Sequence, residues 1–216
     1  DGEQVCTVEK KDTDAIRLAE LMVGRGIDAG SIAEKRDLDD REIIMSIRNL
    51  EVDMPGEAVK GLDLDIRKGE IIGLGGLAGQ GKIGVSNGIL GLYPSDGSIS
   101  YEGQQLPMNN PLAVLKRKIA FVSEDRRNVG LILSESIEEN IAIGALRVNG
   151  KFLKKYGPIT QIDKKAVKDN SDRMIEDFKI KCVSGKQHVS DLSGGNQQKV
   201  CMARALTMEP DLLFVS

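Results

Sequence analysis

Aromatic and metal-binding side chains are scarce in this sequence. Tryptophan is absent from the 216 residues, and aromatic residues make up only 3% of them, which argues against a site built on base stacking. The only histidine is His188, and the three cysteines, Cys6, Cys182 and Cys201, are far apart and form no C-x-x-C pair. A zinc site is therefore not expected. Scattered cysteines are typical of a reducing compartment, and we interpret them as small buried apolar residues rather than nucleophiles.

An excess of positive charge and a long apolar run are also missing. The 30 Lys and Arg residues are outnumbered by 33 Asp and Glu residues, which gives a net charge of -3 and a pI near 5.4. This balance argues against a nucleic-acid-binding protein, because such proteins usually carry a basic excess. No uninterrupted apolar run reaches the ~20 residues that cross a bilayer, so no membrane-spanning helix is predicted.

Short apolar runs alternate with amphipathic stretches along most of the chain, which indicates an α/β fold. The charged stretch 27–41 is interpreted as an exposed linker, or else as a solvated helix face, and a new domain begins near Glu42. The last run is wholly apolar and flanked by turns, as expected of a buried parallel strand. Strands are predicted at 4–8, 43–47, 62–66, 70–74, 98–101, 119–122 and 212–215, and helices at 14–23, 82–92, 137–146, 164–178 and 195–206.

A glycine-rich segment between a predicted strand and a predicted helix fits the pattern G-x-x-x-x-G-K. In such a loop the glycines let backbone N–H groups surround phosphate oxygens, and the positive end of the following helix attracts the same anion. Lys82 would reach the β- and γ-phosphates, but Ile83 stands where a Ser or Thr hydroxyl would bind Mg²⁺. A glycine-rich turn with a chance lysine is the alternative. The predicted ATP-binding residues are Gly76, Leu77, Ala78, Gly79, Gln80, Gly81, Lys82 and Ile83.

A second motif, L-S-G-G-x-Q, lies at the start of the predicted helix 195–206. A serine hydroxyl and glycine N–H groups at a helix N-terminus stabilise an anion, although a capped helix after a turn is the alternative. The motif resembles the signature of ATP-binding-cassette (ABC) ATPases. It follows the phosphate loop and precedes an apolar strand, as in that family. The signature residues are Leu192, Ser193, Gly194, Gly195, Asn196 and Gln197.

Two further segments narrow the resemblance to tandem sugar-importer ATPases. Residues 124–131, E-D-R-R-N-V-G-L, resemble the E-D-R-[KR]-x-x-G-L run of the second cassette in those proteins. Glu124 stands at the Q-loop position, where most cassettes have Gln. Residues 21–25, L-M-V-G-R, resemble the end of the first cassette. The resemblance covers essentially the whole chain, and it fits ribose/galactose/xylose-type importers and the related nucleoside importers almost equally.

This resemblance implies a domain arrangement and a set of partners. Residues 1–26 would end a preceding ABC domain, 27–41 would form a linker, and 42–216 would form the second nucleotide-binding domain. That domain would have a mixed-sheet, RecA-like P-loop NTPase core, incomplete at its C-terminal end, and a helical subdomain at about 125–192. The implied ligands are ATP and Mg²⁺. The implied partners, at the cytoplasmic face of the cell membrane, are the first cassette, transmembrane permease subunits and, indirectly, a sugar-binding protein, with no nucleic acid.

Several positions depart from the family pattern. Ser216 stands at the Walker B Asp position, where the family holds Mg²⁺ through water, and the catalytic Glu would follow it. An aromatic adenine platform is expected after the first strand, where Met54 is the nearest candidate. Together with Ile83, these residues predict a weakened Mg²⁺ site and no complete catalytic set, so residues 1–216 alone are expected not to hydrolyse ATP. They are also expected to be poorly stable, because the later strands of the sheet would be missing and a buried parallel strand would become an unpaired edge. The intact signature would serve the ATP held by the other cassette.

Three functions remain open at this point. The first is the energising ATPase subunit of a small-sugar or nucleoside importer. The second is a regulatory cassette that binds ATP without turnover and acts as a scaffold. The third is a soluble cassette protein acting on ribosomes or DNA, against which the acidic pI and the importer-type run 124–131 both argue.

Overall fold

The structure comprises two units, and their boundary in the sequence lies where the second domain is expected to begin. The computed structural model describes residues 4–24 and 40–216. The units are Asp1–Arg41 and Glu42–Ser216. Residues 25–39, which include most of the expected linker and the end of the L-M-V-G-R segment, lie outside the described residues.

In the first unit the predicted helix forms and the predicted strand does not. Helix α1 spans Ala15–Val23, and the side chain of Asp14 accepts a hydrogen bond from the N–H of Arg17 at 2.7 Å. Gly24 ends the helix with a φ of 74°, a left-handed conformation that favours glycine. Residues 4–9 have no regular secondary structure, because no described strand pairs with them to form a ladder.

An antiparallel sheet of four strands begins the second unit. The strands are β1 Ile43–Val52, β2 Val59–Arg67, β3 Ser95–Tyr101 and β4 Gln104–Gln105, and their order in the sheet is β2-β1-β3-β4. The inner face is built from alternating side chains, among which Met45, Ile47, Ile99 and Tyr101 are fully buried. Helix α2, Lys82–Ile89, packs against this face.

A parallel pair of strands confirms two of the predictions from apolar runs. Strand β5, Ile119–Val122, pairs with β8, Leu212–Val215, and Val122 lies opposite Val215. Parallel strands end at the same edge of a sheet, so Glu124 and Ser216 both follow this edge, and the N–H of Ser216 donates to the carbonyl oxygen of Val122 at 3.0 Å.

Helices dominate the chain between these two strands. A short helix that was not predicted, α3 Pro111–Lys116, precedes β5. The longer helices after β5 are α4 Ile137–Asn149, α5 Lys164–Asp177 and α6 Gly194–Thr207, and their bounds lie within three residues of the predicted ones. They surround a second core that includes Ile137, Ile141 and Val200. A π-helix at Arg126–Gly130 and a hairpin of β6 Leu153–Tyr156 and β7 Ile159–Ile162 were not predicted either.

The strand predicted at 70–74 is wrong. These residues carry no regular secondary structure, and the side chain of Ile71 is 98% exposed. A strand exists only where a neighbour supplies ladder hydrogen bonds, and among the described strands β8 pairs only with β5. Helix α2 also ends earlier than predicted, at Ile89, and Gly91 beyond it has a φ of 71°.

Candidate functional site

The glycine-rich loop leads directly into helix α2. Gly79 and Gly81 both have a φ of 81°, a left-handed conformation that side chains with a Cβ rarely adopt. Gly81 is the N-cap of the helix, which begins at Lys82. The first N–H groups of α2 and those of the loop therefore lie together at the positive end of the helix, as a phosphate site requires.

Close backbone contacts also explain why two positions carry glycine. A Cβ at Gly81 would lie 2.6 Å from the carbonyl oxygen of Ala58. A Cβ at Gly84 would come closer than 3.0 Å to the carbonyl oxygen of Glu57. The turn before β2 is thus packed against the loop along the first turn of α2, and any larger residue would push the two segments apart.

This packing brings an acidic residue into the loop that sequence reasoning missed. The side chain of Glu57 is only 9% exposed, and its Oε1 accepts a hydrogen bond from the N–H of Gly79 at 2.7 Å. That bond is the main cause of the lowered pKa of Glu57, with smaller effects in the same direction from the N–H groups of Ile83 and Gly81 and the charge of Lys82; burial acts in the opposite direction. The loop is therefore arranged to stabilise a negative charge.

The structure brings Lys82, Ile83 and Ser216 to one cavity of about 570 Å³, which lies between the segment 70–74 and strand β8. The Lys82 ammonium donates a hydrogen bond to the carbonyl oxygen of Leu77 at 3.0 Å. Ile83 offers no oxygen to this cavity and Ser216 only a hydroxyl and backbone groups. The two positions expected to support Mg²⁺ are thus close together but carry no carboxylate.

Two other predicted site residues lie outside this cavity. Glu124 is exposed just beyond β5, where its Oε2 accepts a long hydrogen bond from the hydroxyl of Ser123 at 3.4 Å. Met54 is half-buried against the core beneath the antiparallel sheet. Neither residue is among those that line the cavity beside Lys82.

The signature motif occupies the exposed start of helix α6. Ser193 is the N-cap, but its side chain makes no capping hydrogen bond; its hydroxyl accepts one from the amide of Asn196 at 3.0 Å. Gly195 has open space around its Cα. The side chain of Gln197 is buried and donates to the carbonyl oxygens of Val189 and Leu192 at 3.1 and 3.3 Å. This glutamine thereby fixes the turn, leaving the hydroxyl and the glycine N–H groups at the surface.

Arg126 connects the signature to the importer-type run. Its guanidinium donates a hydrogen bond to the carbonyl oxygen of Gly194, and a Cβ at Gly194 would lie 3.0 Å from the same guanidinium. The two segments, 68 residues apart in the sequence, are therefore in direct contact. The contact was not predicted, because a long-range approach leaves no local pattern.

The histidine and the cysteines form no metal-binding group among the described residues, and one cysteine, Cys6, is not buried as expected. His188 is exposed and its Nδ1 lies 2.7 Å from the carbonyl oxygen of Ser134. Cys201 is buried, which raises its pKa to about 11, and Cys182 is half-buried. Cys6 is exposed, so the interpretation as a buried apolar residue is wrong there. Within the described residues no group of three or more His, Cys, Asp and Glu side chains is placed to hold a metal ion.

Comparison with known proteins decides the family. The family model described as ABC transporter matches residues 59–215, which include the loop, the importer-type run and the signature. The chain belongs to the ABC transporter family. Its fold is that of an ABC-type P-loop ATPase domain, as the resemblance implied.

Curated relatives of this ABC cassette are import ATP-binding proteins. The chain is 34% identical over 218 residues to the nucleoside import ATP-binding protein NupA of Lactococcus lactis, and 33% identical over 216 residues to the ribose import ATP-binding protein RbsA of Clostridium perfringens. Each alignment includes 100% of this chain but only 42% and 41% of the relatives. The chain therefore spans about two fifths of the length of the curated relatives it matches.

Two solved ABC structures share the fold of this cassette. One is cbiO1 from Clostridium perfringens, part of an ABC transporter complex, with a TM-score of 0.56 and 21% identity over 81% of this chain and 65% of that one. The other is the dimeric ATP-binding cassette MJ0796 bound to ADP and phosphate, with a TM-score of 0.62 and 22% identity over 79% of this chain and 72% of that one. Within the part of the chain that the structure describes, no helix has the length and apolar character needed to cross a membrane.

Proposed function

We propose that this cassette binds ATP through residues 76–83 and serves as an ATP-binding part of an importer for ribose or related sugars, or for nucleosides. The observation that carries the proposal is the loop itself, whose N–H groups converge on a negative charge at the start of α2. The family match and the import roles of the relatives NupA and RbsA support the importer assignment. We retain residues 192–197 as a second phosphate contact, presented to the nucleotide of another cassette.

The two motifs are proposed to contribute unequally. When bound, Mg²⁺ neutralises charge on the transferring phosphoryl group, and catalysis of that transfer is mainly electrostatic. Ile83 and Ser216 leave little support for the metal beside Lys82. The signature at Ser193 is intact and exposed. The site at Lys82 is therefore a weak, structural or regulatory ATP site, while this cassette's signature completes the more active site of its partner.

The unequal contributions of the loop and the signature imply a set of partners. A first cassette in the same polypeptide would hold the nucleotide that the signature contacts, and the resemblance of segments 21–25 and 124–131 to tandem importer ATPases supports this arrangement. Transmembrane permease subunits would bind the cassettes at the cytoplasmic face of the membrane, and a sugar-binding protein would deliver the solute to them. Arg127, which is exposed on the π-helix, is a candidate for the permease contact.

The test is a comparison of two variants in the whole transporter. Uptake of labelled ribose and of a labelled nucleoside is measured with Lys82→Ala and with Ser193→Arg. Ser193→Arg should lower uptake at least about tenfold, because it blocks an anion contact at the active site, whereas Lys82→Ala should cause a smaller loss. Lys60→Ala and Ser184→Arg alter exposed residues that belong to neither motif and serve as matched controls. Equal losses, or a larger loss with Lys82→Ala, would contradict the unequal roles.

A further inference from the structure

The carboxylate of Glu57 lies where the loop is built to receive an anion. Its Oε1 is 2.7 Å from the N–H of Gly79, and the side chain is more than nine-tenths buried. Its Oε2 is also buried and has no hydrogen-bond partner among the described residues. A buried carboxylate oxygen without a donor is costly, so its presence in a phosphate loop calls for a functional explanation.

The backbone holds Glu57 in this position. The N–H of Glu57 donates to the carbonyl oxygen of Met54 at 3.0 Å, which closes the turn before β2. The carbonyl group of Glu57 lies against Gly84 of helix α2, and that of Ala58 lies against Gly81. The turn and the loop are therefore packed together, which holds the backbone of Glu57 beside the loop that its carboxylate contacts.

The charges around Glu57 are those that a phosphate would use. The N–H groups of Gly79, Gly81 and Ile83 and the ammonium of Lys82 all favour its ionised form. These groups belong to the segment proposed to bind the nucleotide. A carboxylate and a phosphate oxygen compete for the same donors, because each N–H has a single hydrogen to give.

We propose that Glu57 is an internal anion that occupies the phosphate position of the loop and must withdraw before a nucleotide binds. The inference rests on the proposed function, since it concerns control of the same site. The partnerless Oε2 limits how strongly the closed arrangement is favoured, so the carboxylate lowers the apparent affinity for a nucleotide without abolishing binding. Glu57 thus sets the affinity of the site for polyphosphates.

The test removes the charge and keeps the shape of the side chain. Binding of ATP, inorganic pyrophosphate and adenosine to the full chain is measured by calorimetric titration for the wild type, Glu57→Gln and the matched control Glu51→Gln, which neutralises an exposed carboxylate on β1. Glu57→Gln should bind ATP and pyrophosphate about tenfold more tightly than the wild type, with adenosine unaffected. Glu51→Gln should match the wild type for all three ligands.

The outcomes separate this inference from the proposed function. Equal polyphosphate affinity in the wild type and Glu57→Gln would refute the competition between the Glu57 carboxylate and a phosphate, and so would adenosine binding that tightens to the same extent. Both results would leave nucleotide binding in place. No binding of ATP by any of the variants would overturn the proposed function and this inference with it.

A measurement on the wild type makes the test independent of the stability of the variant. During a pyrophosphate titration followed by NMR, the side-chain carboxyl resonance of Glu57 and the amide resonance of Gly79 should move together, because displacement changes both groups. Movement of the Gly79 amide with an unchanged Glu57 carboxyl would refute the displacement.

Discussion

Replacing Gly84 with alanine should loosen the contact between helix α2 and the turn that carries Glu57. The added Cβ would lie closer than 3.0 Å to the Glu57 carbonyl oxygen, whereas ordinary contact begins at 3.4 Å, and it would also meet Val59 at 3.0 Å. Two backbone segments must therefore separate by more than about 1 Å, which puts the cost at the upper end of the about 1–3 kcal/mol typical of overpacking.

The size of the effect follows from two opposing terms. Glycine to alanine inside a helix stabilises by up to about 1 kcal/mol, so an overpacking cost of about 3 kcal/mol leaves a net destabilisation of about 2 kcal/mol for Gly84→Ala. In a domain of this size that corresponds to a fall of roughly 4–8 °C in the midpoint of thermal unfolding. The free energy of unfolding is measured by urea titration followed by circular dichroism.

Gly144→Ala in helix α4 is the matched control. Its Cβ would lie 3.0 Å from Met208, but the contact is with the sulfur near the end of a flexible side chain that can move aside. Gly144→Ala should therefore be neutral or stabilising by up to about 1 kcal/mol. If Gly84→Ala proves as stable as Gly144→Ala, the close packing of the turn against the loop is refuted.

Two further predictions concern the helical part and the thiols. Ser136→Ala, which removes the capping box of α4, should lower the free energy of unfolding by about 1 kcal/mol near neutral pH. Folding lowers the pKa of Glu139, mainly through the Ser136 hydroxyl, so this stabilisation is present above the ordinary carboxyl pKa and is lost as the pH falls through the lowered one. The difference in the free energy of unfolding between the wild type and Ser136→Ala should therefore narrow in acid, and a difference that does not depend on pH would contradict this prediction. In the native protein iodoacetamide should modify exposed Cys6 and spare buried Cys201, as peptide mass spectrometry would reveal; equal modification would contradict the burial.

Local patterns predicted the elements whose structure depends on local residues. The short apolar runs at 119–122 and 212–215 are strands with the predicted bounds and pair in parallel. The expected burial holds for most of β5 but not for β8, which is half-buried and ends in the exposed Val215. Helices α4, α5 and α6 were predicted to within three residues of their observed bounds. The segment 70–74 has the same apolar character but forms no strand, since pairing depends on a neighbour that local sequence does not describe.

The rest of the structure depends on contacts between distant residues. All eight residues of the β6–β7 hairpin are exposed, so no buried face marked it in the sequence. The approach of Glu57 to Gly79, across 22 residues, is set by the packing of a turn on a helix and has no local signal. The loop motif predicted where a phosphate would bind. It gave no indication that the carboxylate of Glu57 lies at that position when no phosphate is bound.

The central claim, that residues 76–83 bind a nucleotide through its phosphates, is tested most directly by an ATP titration followed at the backbone amides of the chain. With Mg²⁺ removed by a chelator, ATP should shift the amides of Gly79, Gly81 and Lys82 at saturation, and adenosine should not. Adding Mg²⁺ should tighten binding only modestly, because Ile83 supplies no ligand oxygen. Amides in this loop that stay unchanged at saturating ATP would contradict the claim.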